Sequence, residues 1–295
     1  MRAPETNSPS SANAANIGAN AIGYTANASA NYTLAIGYAA TAAATGGQAI
    51  GYSSQGNGAY SLAYGYNAHA DTSYAIAIGN GAAANTATHT AAIGGSSVST
   101  GYLSQAIGYG ANASATGAHA IGYSAAASSN YAQAIGYDAN AIGSYAQASG
   151  YRAKAFGTSD ITIGRDAGYY TTVSGGSNVV IGYRALFGTT SGSDAGTRNI
   201  AIGQYALYNR DSGGVDNVGI GYYALRVNDG NYNVALGRQT GYNNVSGNNN
   251  TLIGYQAGYN NTGSTNVFIG NQAGYSETGS NLLYIDNSNT ASPLI

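Results

Sequence analysis

A glycine returns every 14 residues at Gly23, Gly37, Gly51, Gly65 and Gly79 and, after one 15-residue step to Gly94, at Gly108, Gly122, Gly136, Gly150 and Gly164. The spacing then loosens to 16–21 residues through Gly182, Gly203, Gly221, Gly237, Gly254 and Gly270. A short period sustained along a chain is the signature of a repeat architecture, in which each unit is stabilised by its neighbours. Around each glycine the residue types fall into columns. Isoleucine precedes it at Ile22, Ile36, Ile50, Ile107, Ile121 and Ile135, ahead of Gly23, Gly37, Gly51, Gly108, Gly122 and Gly136. In the 14-residue units alanine or serine stands three residues after it, and a small residue five after it.

Alternation at i and i+2 is the strand period. Each 14-residue unit therefore reads as two very short strands joined by glycine-containing corners, one coil of an all-β parallel solenoid. Coils stacked at the inter-strand spacing of about 4.8 Å would give a rod of roughly 50 Å for ten units. Alanine suits a narrow bore. Isoleucine at one corner is expected to supply most of the apolar volume there, and the glycine to permit a turn that a Cβ disfavours. Ordering costs about 1–2 kcal/mol per residue, so a solenoid this thin calls for side-by-side association of several solenoids.

The chain divides into a polar lead-in (1–16), the 14-residue repeats (17–157), wider coils with longer loops (158–280) and a C-terminal cap (281–295). In the wider coils asparagine precedes the strand at Asn178, Asn199, Asn217, Asn233, Asn250 and Asn266, and a large residue stands five after the glycine, as at Tyr169, Phe187 and Tyr208. Segments such as Ser174–Ser177 and Ser191–Asp194 read as surface loops.

Composition narrows the function classes. Charged residues make up 7% of the chain, with a net charge of −2 and no cysteine. Disulfides, thiolate chemistry and cysteine-ligated metals are excluded, and nucleic acid is not an expected partner. No apolar run approaches a membrane span, and the first residues lack the apolar stretch of a signal peptide, so membrane insertion is not expected. His69, His89 and His119 share no column, which speaks against a repeated metal site. Asp160, Arg165 and Asp166 are expected to form solvated ion pairs. No catalytic constellation is legible, carboxylates being sparse before residue 158, and no cofactor is implied. Tyrosine follows the marker glycine at Tyr24, Tyr38, Tyr52, Tyr109, Tyr123 and Tyr137. It reads either as a structural ladder or as an exposed strip for contact with a cell-surface glycan or protein receptor.

Ala-Ile-Gly-x-x-Ala-x-Ala at 14-residue spacing resembles the head repeat of trimeric autotransporter adhesins, the YadA-like head, over about residues 17–170. The resemblance implies a trimer of left-handed parallel β-rolls that binds matrix proteins or cell surfaces from an extracellular position. The second half, with segments such as Asn266–Tyr275, resembles repeats of bacteriophage tail fibres that lead into a self-cleaving intramolecular chaperone of the endosialidase type. A non-enzymatic fibre or adhesin, on a virion or a cell surface, is the expected function. The alternative is a self-assembling extracellular filament of stacked trimers.

Overall fold

The computed structural model describes residues 12–289 and 294, apart from 174–175, 189–192, 195 and 210–212. Lead-in residues 1–11, part of each loop named above and most of 290–295 lie outside the described residues. The fold is all-β: among the described residues every strand has two or three residues, there is no helix, and all ladders are parallel. The chain forms two compact units, Met1–Asp138 and Ala139–Ile295.

In the first unit, Asn20–Ile22 pairs with Leu34–Ile36, which pairs with Gln48–Ile50, and the stack continues coil by coil to Gln133–Ile135. Equivalent residues lie side by side, Ala106 beside Ala120 and Ile107 beside Ile121, so sequence columns become columns in space. A second ladder of two-residue strands runs along the other edge, from Asn13–Ala14 through Asn27–Ala28 to Thr41–Ala42 and again from Val98–Ser99 to Ala126–Ala127, with single bridges between. In the second unit, Gln147–Ser149 leads through Ile161–Ile163 and Val179–Ile181 to Leu283–Ile285 in the same register. Each unit is a parallel β-solenoid.

Four residues per 14-residue coil point inward. In the coil after Gly23 these are Ala26, Ala28, Thr33 and Ala35, all essentially inaccessible. The bore is lined by alanine with occasional serine and threonine. Isoleucine is not in it. The middle residue of each main strand is buried while its neighbours face outward: Ala106 is inaccessible between Gln105 and Ile107, and Ile121 and Ile135 are 38% and 43% exposed. The expectation that isoleucine fills the bore is therefore corrected. Strand alternation sends the residue beside a buried alanine to the opposite face, and a bore closed by alanines on both sides has no volume for a fourth carbon.

The marker glycines are required twice over. Their φ values cluster near +130°, from Gly23 (131°) to Gly270 (127°), a region that side chains with a Cβ rarely enter. Each also backs onto the next coil: a Cβ on Gly108 would sit 2.3 Å from the carbonyl oxygen of Gly122. The other tight corners are less demanding. The residue two after the marker is left-handed with φ near +50° to +64°, and it is Thr25, Ala39, Ser53, Asn67 or Gly110. Gly108→Ala should therefore lower the melting temperature sharply, with strain of about 1–3 kcal/mol from the backbone alone and a backbone clash added. Gly110→Asn, where a Cβ would meet only Ser124 Oγ at 3.5 Å, should leave it nearly unchanged. Thermal unfolding followed by circular dichroism compares the two, and equal losses would refute the distinction.

Candidate functional site

Tyrosine columns run along the exterior, one of them directly after the marker glycine. Because successive coils repeat in register, Tyr24, Tyr38, Tyr52 and Tyr66 stack with ring centroids 5.3, 4.9 and 5.2 Å apart, and Tyr109, Tyr123 and Tyr137 with 5.4 and 5.0 Å. Asn80 and Gly95 interrupt the ladder. Tyr24, Tyr38, Tyr52, Tyr109, Tyr123 and Tyr137 each keep about half of their surface exposed. The rings are thus a structural ladder and an exposed strip at once: one face of each ring packs on the ring of the next coil, and edges and hydroxyls meet solvent.

Sequence reasoning missed a second aromatic column, nine residues after the marker. Tyr32, Tyr60, Tyr74, Tyr131 and Tyr145 all take a left-handed backbone there. His89 belongs to it, since its backbone N–H donates to Ser73 as that of Tyr74 donates to Ala59, and its ring stacks on Tyr74 at 4.8 Å. The 15-residue step between Gly79 and Gly94 had hidden the register. His69 instead lies beside Asp71, Nδ1 to Oδ2 3.5 Å.

The change of repeat near residue 158 is chemical as well as geometric. The inward position four residues before the marker is small in the first unit, as at Thr33, Gly47, Ser61, Ala75 and Ser104. In the second unit it becomes Asp160 and then Asn178, Asn199, Asn217, Asn233, Asn250 and Asn266, all buried. These side chains form a ladder. The backbone N–H of Asn199 donates to Asn178 Oδ1 at 2.9 Å, and the same contact recurs at 2.9–3.0 Å up to Leu282 on Asn266. Each Nδ2 donates to a glycine carbonyl in the next loop, Gly196 through Gly279, at 2.8–3.1 Å. Asparagine fits because it offers two acceptor lone pairs and two donors at one inward position. Leu207, Leu225, Leu252 and Phe268 fill the extra volume of the wider coils.

Asp160 begins that ladder. It accepts from Gly157 N at 2.7 Å, Asn178 N at 2.8 Å and Asn178 Nδ2 at 3.2 Å. Burial nevertheless pushes its carboxyl above the ordinary carboxylate range, outweighing those donors. Asp166 is likewise buried, with Arg152, Arg165 and Arg184 around it at 3.5, 3.6 and 3.7 Å. The expectation of solvated ion pairs is corrected for both carboxylates: the position four before the marker glycine points into the coil, whereas Asp166, at a position where Thr25 and Asp138 are exposed, is buried among three arginines.

Around Asp166 the cations rest on rings. Arg152 lies 3.8 Å and the Lys154 ammonium 4.3 Å from the centre of Tyr169, and Arg184 lies 4.9 Å from Phe187. Arg165 occupies the tyrosine column itself, 5.6 Å from Tyr151 and 5.7 Å from Tyr183. Arg238 repeats that placement between Tyr222 and Tyr255 at 5.5 and 6.0 Å, where Tyr222 and Arg238 line an open hollow. Among the described residues no group of three histidine or acidic side chains is placed to hold a metal, and no helix is long and apolar enough to cross a membrane.

Two stretches of the first unit, residues 14–40 and 57–82, match the YadA head domain repeat. Over these coils the chain is similar to that repeat. No curated protein matches it. The matched head repeat and the β-solenoid both point to a structural protein rather than to a known enzyme family.

Because the raised Asp160 carboxyl favours its protonated form in the folded state, its contribution to stability is fullest below the ordinary carboxylate range and is lost as pH rises through its own raised range. Asp160→Asn cannot titrate, and its amide would oppose the Gly157 N–H. The variant should be less stable than the parent by about 1–3 kcal/mol, with the gap widest near pH 3 and narrowing toward neutrality. Paired chemical denaturation curves across that range check this. A gap that widened with pH would show the opposite sign.

Proposed function

We propose that the chain is a homotrimeric attachment fibre, displayed outside the cell or on a virion, whose solenoids meet through the outward face of the main sheet and whose aromatic edges meet the target surface. The observation that carries this reading is an uncovered aliphatic face. In the second unit both outward residues of nearly every main strand are apolar: Ile161 and Ile163, Val179 and Ile181, Ile200 and Ile202, Val218 and Ile220, Val234 and Leu236, Val267 and Ile269. In the first unit the same face mixes isoleucine with Gln48, Gln105 and Gln133. A strip of aliphatic side chains longer than a monomer usually exposes marks an association surface.

A second copy and a third fit that strip because identical columns in register are complementary to themselves under rotation about a shared axis, and closed symmetry is the common outcome. The YadA head repeats support the same arrangement and an adhesive role. The likeness of the later repeats to those of tail fibres supports placement ahead of a chaperone domain. The filament reading has its own support: Leu283–Ile285 pairs on one side with Val267–Ile269 and is half exposed, an edge on which further copies could stack.

Solution mass by light scattering, with electron microscopy, separates these arrangements. We expect a discrete mass of three chains, and Ile202→Asp with Ile220→Asp should shift it to one chain or to aggregates, because six charges would be forced into an apolar contact. A wild-type monomer would overturn the proposal. Open-ended polymers would favour the filament.

A further inference from the structure

We infer that the arginine cluster at the start of the wider coils is a recognition site for an acidic saccharide, a sugar carrying a carboxylate or sulfate. The inference rests on the attachment role proposed above and names its ligand class. Charge is the first ground. The chain holds nine Lys and Arg in all, and four of them meet at one place: Arg152, Arg165 and Arg184 share the Asp166 carboxylate, and Lys154 lies with Arg152 over the Tyr169 ring. One carboxylate cannot neutralise four cations. Its contacts with the three guanidiniums, at 3.5–3.7 Å, are longer than hydrogen bonds, and Asp166 Oδ1 and Arg184 Nε are buried without a hydrogen-bond partner. Asp166 therefore holds the guanidiniums together without using up their donors.

The second ground is how those donors are presented. Arg165 keeps 64% of its side chain exposed while lying between the rings of Tyr151 and Tyr183. Cation–π contact with a ring on each side restrains the guanidinium, and its exposed donors can grip a carboxylate or sulfate through two parallel N–H bonds. Exposed tyrosine beside it supplies what a sugar needs, an apolar ring face and a hydroxyl. The alternative polyanion, nucleic acid, would need a basic track along the surface. Here the 151 residues before the cluster hold one cation, Arg2, and Arg198 after it is paired with Asp216.

Arg238 serves as the internal comparison. It has the same two flanking tyrosines, yet among the described residues it has no ion pair and no clustered cations around it. The full chain would be titrated by calorimetry with a hyaluronan hexasaccharide (carboxylate only), a heparin-derived hexasaccharide (carboxylate and sulfate) and chitohexaose (neutral). At least one acidic hexasaccharide should bind about tenfold more tightly than chitohexaose, a difference of about 1.4 kcal/mol. Arg165→Gln should remove that preference, Arg165→Lys should restore part of it, and Arg238→Gln should change it less than about twofold, where the comparator scale is again the tenfold step. Melting curves of the same variants confirm that each still folds.

The inference is overturned if neutral and acidic sugars bind alike, if none binds, if the two arginine variants lose equally, or if inorganic sulfate competes as well as the hexasaccharides. Attachment of labelled protein to cells is scored in parallel. Attachment that is indifferent to Arg165→Gln sinks the site while leaving the attachment role standing. Hexasaccharide binding without attachment to any cell surface does the reverse.

Discussion

The contact between the backbones of successive coils at the marker glycine sets the terms for everything else in this molecule. Gly23 faces the carbonyl of Gly37, Gly37 that of Gly51 and Gly51 that of Gly65, so close that a Cβ would come within 2.3–2.4 Å of the oxygen each time. The main-chain N–H groups of Gly37, Gly51 and Gly65 donate at 2.8–2.9 Å to the isoleucine carbonyl of the coil before. That approach fixes the pitch at the strand spacing, and pitch fixes register. Once register is exact from coil to coil, every side chain has its own kind above and below it. Tyrosine then stacks on tyrosine, asparagine bonds asparagine, and any unlike residue is felt as an interruption of a column.

Much of the fold follows from counting, because a column is a period and a period is visible in one dimension. Two very short strands per coil, the alanine bore and the glycine corner were all legible in this way. What was not legible is which side of a strand faces in when both sides are apolar. Ala106 and Ile107 are both hydrophobic, and only the width of the closed coil decides that alanine is inside. Burial of Asp160 and Asp166 was hidden for a related reason. Charge is ordinarily a mark of solvent, but Asp160 stands in a fixed inward column and is buried by its address, and Asp166 is buried among arginines, two of them from neighbouring coils. His89 was lost to a single inserted residue, and the asparagine ladder was seen as a recurrence without its bonding, since a repeat shows that a residue is needed but not what for.

The asparagine ladder explains why the coils can widen. An alanine bore is held by backbone bonds and tight contact, and it cannot enlarge without opening voids. Asparagine carries polar groups that reach across the added space to the next loop's glycine carbonyl and the next coil's N–H. Longer connections are thereby tied to the core rather than left with unsatisfied backbone groups. Leucine and phenylalanine can then replace alanine across the bore. A ladder whose acceptors all point one way needs a head whose two oxygens both accept, and aspartate meets that need where asparagine would present its amide to Gly157. The cost is a buried carboxyl, which the three donors reduce without cancelling.

The same register that orders the interior makes the exterior a set of stripes, and stripes divide the labour of a surface. An aliphatic stripe can be covered only by something equally long and equally periodic, and other copies of the chain are the natural candidates. An aromatic stripe is different, because its rings already satisfy one another in stacks and need no cover. It can stay in water without driving aggregation, offering edges and hydroxyls at a regular spacing. Placing arginine in such a stripe keeps contact with the rings on either side, now as cation–π pairs, and adds a charge to the column. Recognition then need not come from a loop or a pocket built for the purpose. It can arise where a substitution in a column, whose geometry the glycine contact had already set, meets further cations on the neighbouring coils.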